Sequence, residues 1–292
     1  MRSTAIIGAM AALAFWPSAP ARADGTAQPG TRALGTGGAM RAAATGDAGP
    51  MLNPSGIMLI RSYTVEGAYQ YGSRDSSHDA HVSLVDSTSA FNLGGGLFYT
   101  YHTASPASGS QSGHVGGASL SFPLGEVVFL GGTAKYMHVS TEIDGCTRVH
   151  KGFTFDAGLT VRLAQFMTLA AVGYNLANPK NSLAPQGVGG GVSLSLVPGL
   201  LLLADSVLER VYNDATRSTA YDVMGGAEYL AKTMAIRLGG GWDGPNRNGY
   251  LSGGLSTVSP TGALDVSVRQ DISGDRKGTF VGVSGRLFVP TY

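Results

Sequence analysis

Residues 153–163 read FTFDAGLTVRL, with Phe153, Phe155, Ala157, Leu159, Val161 and Leu163 on one parity and Thr154, Asp156, Gly158, Thr160 and Arg162 on the other. Successive side chains of a strand point to opposite faces, so this segment offers one face to an apolar phase and the other to water. The pattern returns near the C-terminus, where Val281, Val283, Gly285, Leu287 and Val289 alternate with Gly282, Ser284 and Arg286. It returns again where Tyr63, Val65, Tyr69 and Tyr71 alternate with Thr64, Glu66 and Gln70.

Working outward by the same period, candidate strands fall at 57–72, 78–87, 91–103, 111–123, 126–140, 151–164 and 167–177, then at 187–196, 200–212, 218–229, 232–243, 249–258, 262–272 and 279–289. The connectors alternate. Ser87–Ala90, Leu124–Gly125, Gln165–Phe166, Val197–Gly199, Leu230–Ala231 and Ser259–Thr261 are tight. Between them stand 73–77, 104–110, 141–150, 178–186, 213–217, 244–248 and 273–278, longer and richer in Gly, Pro, Asn, Asp and Ser. An all-β transmembrane antiparallel barrel of about fourteen strands needs such a rhythm, with tight periplasmic turns, longer outer loops and both barrel ends on the periplasmic side. A soluble β-sandwich would alternate too, but its strands average about five or six residues, and nothing in it calls for alternating loop lengths. Tyr69, Tyr71, Tyr99, Tyr101, Tyr212 and Trp242 fall near strand ends, where an aromatic girdle belongs.

Glycine is abundant, with 44 residues, whereas charged residues make up only 13% of the chain. Glycine triplets and pairs at 94–96, 116–117, 131–132, 189–191, 239–241 and 253–254 lie inside the candidate strands. Glycine weakens pairing there, so these positions mark bends or places where space is needed. The spacing of Gly239, Gly241 and Gly244 also satisfies GxGxxG, but no helix pattern follows, which argues against a dinucleotide site. A net charge of +1 and the absence of a basic stripe argue against nucleic acid as a partner.

Residues 1–23 carry Arg2, an apolar stretch from Ala5 to Trp16 and the small-residue site Ala21-Arg22-Ala23, the plan of a secretory signal peptide. The lone Cys146, in a stretch that reads as a loop, has no partner for an intramolecular disulfide.

Residues 24–56 interrupt the alternation. Ala39–Ala44 suits one or two helical turns and Asn53-Pro54-Ser55-Gly56 suits a turn, so the segment is expected to fold into the barrel lumen as a plug, with the barrel itself spanning 57–292. A glycine pair followed by Ala39, Arg41 and Ala42, then Asp47, then Asn53-Pro54-Ser55-Gly56 before the first strand, resembles the FadL-type outer-membrane transporter superfamily, including its PorV-type barrels. Family members typically show Asn-Pro-Ala-Gly at that turn, so Ser55 is a departure. The resemblance implies a fourteen-stranded barrel in the outer membrane of a Gram-negative bacterium, with a hatch shaped by Arg41, Asp47, Asn53, Pro54 and Gly56. It also implies passive uptake of hydrophobic or amphipathic molecules. The PorV-type alternative is a structural or adaptor barrel that binds a partner protein. Outer-membrane lipid and, during biogenesis, the barrel-assembly machinery are the remaining expected partners.

Inward positions carry Glu66, Asp156, Arg162, Asp205, Glu209, Asp222, Glu228, Arg237, Asp265, Arg269, Asp271 and Arg286. Charges of both signs either set ion selectivity or pair to hold wall and hatch together, and mixed signs favour pairing. His78 and His81 are three apart and so face opposite sides of a strand, which disfavours a metal site. No Gly-x-Ser-x-Gly elbow occurs, and neither an enzyme nor a cofactor is expected.

Overall fold

The computed structural model describes residues 30–106, 109–143, 146–177, 184–213, 216–274 and 276–289. The signal-peptide expectation for residues 1–23 lies outside these. The strands are β1 (Tyr63–Gly72), β2 (Ser77–Asp86), β3 (Gly94–Ala104), β4 (Gly109–Leu124), β5 (Val128–Ile143), β6 (Cys146–Ala164) and β7 (Met167–Tyr174). They continue as β8 (Gln186–Val197), β9 (Leu200–Asn213), β10 (Thr216–Ala231), β11 (Met234–Asp243), β12 (Asn248–Ser259), β13 (Gly262–Asp271) and β14 (Thr279–Val289). Each pairs antiparallel with its sequence neighbours, and β1 pairs with β14 to close the barrel. Closure leaves no backbone edge facing hydrocarbon.

The parity read from the sequence is the parity of the wall. Phe153, Phe155, Leu159 and Leu163 are exposed on the outside, whereas Thr154, Asp156 and Thr160 are buried on the inside. Tyr69, Tyr71, Tyr99, Tyr101 and Trp242 also project outward. The hydroxyls of Tyr69 and Tyr99 bond the Nδ1 atoms of His78 and His114 on the same outer surface. Tyr212 lies in β9, but its side chain falls outside the described residues.

Three sequence expectations need correction. The first strand begins at Tyr63 rather than 57, because Pro54–Leu59 forms 3-10 turns that still belong to the plug. The expected loop at 141–150 is mostly wall: β5 and β6 remain paired up to Ile143 and Cys146, so Cys146 starts a strand instead of sitting in a loop. The connectors therefore do not alternate cleanly in length, since the β2–β3 connector runs from Ser87 to Leu93 on the turn side while β9 and β10 stay paired up to Asn213 and Thr216 on the loop side. The asymmetry between barrel ends resides partly in long paired strands, which solvate their outer reaches by alternation and need no separate loop.

The plug, or hatch, is a string of short turns: helix α1 (Thr31–Gly35), 3-10 turns at Arg41–Ala43 and Gly46–Ala48, helix α2 (Gly49–Leu52) and the 3-10 segment Pro54–Leu59. No piece is long enough to bury a stripe of its own, so the hatch is held by the wall. Met40 and Ile57 are fully buried, each contributing roughly 1.5–3 kcal/mol of apolar burial. Met40 belongs to a core shared by hatch and wall, with Ala39, Ala44 and Leu52 packed against Val172, Leu203, Val207 and Met224.

Candidate functional site: the hatch and the vestibule above it

The Asn-Pro-Ser-Gly turn builds the first anchor. Asn53 caps the 3-10 segment by accepting the Ser55 N–H at Oδ1, and Pro54 at the first helical position has no N–H to satisfy. The Ser55 hydroxyl donates to Asn53 Oδ1 at 2.6 Å, and Asn53 Nδ2 donates to Thr160 Oγ1 of β6 and to the Arg41 carbonyl, each at 2.9 Å. Thr160 Oγ1 lies 2.7 Å from Ser55 Oγ. Because the Ser55 proton is engaged by Asn53, Thr160 is the donor in that contact, which closes a ring of three side chains. Ser55 thus has a use that alanine would lack. Arg162 adds a bond from Nη2 to the Leu59 carbonyl at 3.0 Å.

The second anchor is centred on Asp205 of β9. Its Oδ2 accepts the backbone N–H groups of Met40 and Arg41, both at 2.8 Å, and pairs with Arg41 Nη1 at 3.1 Å. Arg41 Nε donates to the Tyr174 hydroxyl, which in turn donates to the Leu52 carbonyl. One hatch arginine therefore joins two strands and two hatch turns.

The third is a belt of alternating charge. Arg32 of α1 grips both carboxylate oxygens of Glu228, at 2.6 and 2.9 Å. Glu228 stands directly opposite Arg237 across β10–β11 and accepts from its Nε at 2.5 Å. Arg237 reaches Asp265 at 2.9 Å, Asp265 pairs with Arg286 at 2.8 Å, and Arg286 lies 3.7 Å from Asp47 back in the hatch. Glu66, opposite Arg286 across β1–β14, shares a hydrogen bond with Asp47. Burial pushes the Asp47 carboxyl upward, but that hydrogen bond and the charges of Arg286 and Arg32 outweigh it and hold the group below its ordinary value of 3.8.

Backbone clearance completes the fit. A Cβ on Gly158 would overlap Asn53 Oδ1, and one on Gly131 would overlap the backbone between Pro54 and Ser55. Gly226 and Gly239, paired across β10–β11, leave the same room for Thr36 and Gly37. Gly56 is pressed against the Ala44 carbonyl within the hatch.

Above the hatch, on the loop side, is a cavity of about 260 Å³. Leu34, Gly38, Arg41 and Leu52 form its floor, and wall positions including Phe98, Met137, Met224 and Phe280 supply apolar surface. Asp222 and Arg269, expected as lumen charges, are here rather than in the belt. Arg269 bonds Asp243 at 2.8 Å and Asp271 at 3.1 Å and covers the Tyr250 ring. Asp156 pairs with Lys135 at 2.7 Å and accepts the Asn175 N–H. His102 and Asp79 form a buried pair at 2.6 Å that sequence reading missed, because nothing short of strand register sets them opposite each other. Arg32 and Tyr174 were also missed; their roles depend on contacts across 196 and 133 positions of chain. His78 and His81 do lie on opposite faces, His78 exposed outside and His81 bonded to Thr100 inside. Among the described residues no group of three or more His, Cys, Asp or Glu side chains is arranged to hold a metal ion.

Fold and site together define a hatch-plugged fourteen-stranded transmembrane barrel. No protein-family model matches the chain, and no curated protein matches it. Solved structures do. It is similar to the CymD monoaromatic hydrocarbon channel, with TM-score 0.71 and 12% identity over 90% of this chain and 98% of that one. The Ralstonia pickettii toluene transporter TbuX matches with TM-score 0.66 and 12% identity over 90% and 98% of the two chains. A Pseudomonas aeruginosa FadL homologue matches with TM-score 0.67 and 12% identity over 88% and 98%. The chain therefore has the fold of the FadL-type channels, as the motif resemblance implied.

Proposed function

We propose that this chain is a passive channel in the outer membrane of a Gram-negative bacterium, through which hydrophobic or amphipathic small molecules enter. One observation carries the reading: the lumen is divided into a partly apolar vestibule on the loop side and a hatch on the turn side. A solute would settle in the vestibule and leave as the hatch shifts. The hatch is the cheaper element to move. Its anchors are side-chain contacts within the lumen, whereas parting two strands would strip ladder hydrogen bonds in hydrocarbon, where nothing replaces them. The fold shared with channels named for monoaromatic hydrocarbons and toluene supports small apolar solutes. No covalent step is involved.

The test is uptake of toluene and of a medium-chain fatty acid by proteoliposomes carrying the barrel. Faster accumulation than in empty liposomes is expected for at least one of them. Rates equal to those of empty liposomes for both would sink the proposal and favour an adaptor barrel whose rim binds a partner protein.

A further inference from the structure

The vestibule is unbalanced in charge. Four cations line it, and each stands against a carboxylate: Arg41 against Asp205, Arg74 and Arg269 against Asp271, and Lys135 against Asp156. Among the described residues, no cation pairs with the lining carboxylates Glu209, Asp222 or Asp75. Glu209 and Asp222 are neighbours on the inner face of β9–β10, since Glu209 registers with Ala220, two residues before Asp222. Asp222 takes one backbone N–H, from Gly244.

A second, independent feature points the same way. Asn175, 8% exposed, and Asp75, 6% exposed, line the cavity, and each has a buried side-chain oxygen with no hydrogen-bond donor. Native structures rarely leave such atoms unmet. Both oxygens are acceptors, so a solute with an anionic head would bring them further acceptors and like charge. An ammonium brings only donors and a positive charge.

We propose that the vestibule prefers amphipathic solutes with a cationic amine head, seated at Glu209 and Asp222, with the apolar body over Leu34, Leu52 and Met224. This deepens the uptake reading and rests on it. Carboxylates lining a narrow, partly desolvated passage favour cations, because the surrounding low-dielectric wall strengthens the attraction relative to water.

The experiment uses four ligands that share one aromatic ring, namely benzylammonium, benzyl alcohol, toluene and benzoate, titrated calorimetrically into the full barrel in nanodiscs. Benzylammonium is expected to bind about tenfold more tightly than benzoate, and the E209Q/D222N variant to lower its affinity to that of benzyl alcohol. Heat-modifiable mobility in gels reports that the variant barrel is folded, and E126Q, on an exposed turn, controls for a general loss of charge. Equal or tighter binding of benzoate, or a preference that survives E209Q/D222N, overturns the inference while leaving uptake of toluene intact. If none of the four binds and none enters proteoliposomes, the uptake reading falls with it.

Discussion

At the residue scale, the hatch depends on side chains that each hold several partners at once. Ser55 is the clearest case: its hydroxyl is one member of the Asn53–Ser55–Thr160 ring. Ser55→Ala removes one member and leaves the Thr160 proton without an acceptor, so hatch docking should weaken by about 1–2 kcal/mol. Hydrogen exchange at residues 53–59 would register this as faster exchange with the wall unaffected; unchanged exchange would mean that the ring contributes nothing. Asp205→Ala is expected to be harsher, because Arg41 and two backbone N–H groups lose their acceptor together. Breaking a buried pair from one side costs roughly 3–5 kcal/mol. Protease cleavage within residues 38–45, in a barrel that still shows heat-modifiable mobility, is the predicted outcome.

At the element scale, the strand glycines divide by the direction they face. Gly158 and Gly131 face inward and give the hatch its room, whereas Gly132 faces outward and a Cβ there would meet only the Asp156 carbonyl at ordinary contact distance. Gly158→Val should therefore expel the Asn53 turn, and Gly132→Val should be tolerated. Comparing protease sensitivity of the hatch in the two variants decides the matter. The belt adds a pH dependence. Asp47 is held below its ordinary value of 3.8 when docked, so its contribution is complete above that value and is lost as pH falls through the lower, docked one. Hatch protection should decline below about pH 4, and D47N should reduce that decline. A decline that D47N leaves unchanged would contradict this.

At the scale of the whole molecule, barrel and hatch are separable in role. The wall closes through its own ladders, so a chain lacking residues 34–56 should still form a barrel, but one that conducts ions in a planar bilayer where the intact protein conducts little. Equal conductance of the two would place the seal somewhere other than the hatch. Much of this architecture was legible in the sequence. All fourteen strands were anticipated, most to within a few residues, because a wall between lipid and water imposes one parity on each strand. The expected loop at 141–150 is instead mostly paired strand, because polar residues alternate as well as apolar ones do once a hairpin rises into water. Parity likewise assigned Glu66, Asp156, Arg162, Arg237 and Arg286 to the lumen but could not say which charge met which.

By itself, then, the sequence determined the closed wall, the face each residue takes and the existence of a plug, since these follow from local periodicity and its interruption. Only the tertiary structure decided that Arg32, Glu228, Arg237, Asp265, Arg286 and Asp47 form one belt, that Asp79 meets His102, and that Glu209 and Asp222 pair with no cation among the described residues. Partnership across a barrel depends on strand register and on where the hatch lies against the wall. Both are set by contacts among positions far apart in the chain, and a period of two carries no information about them.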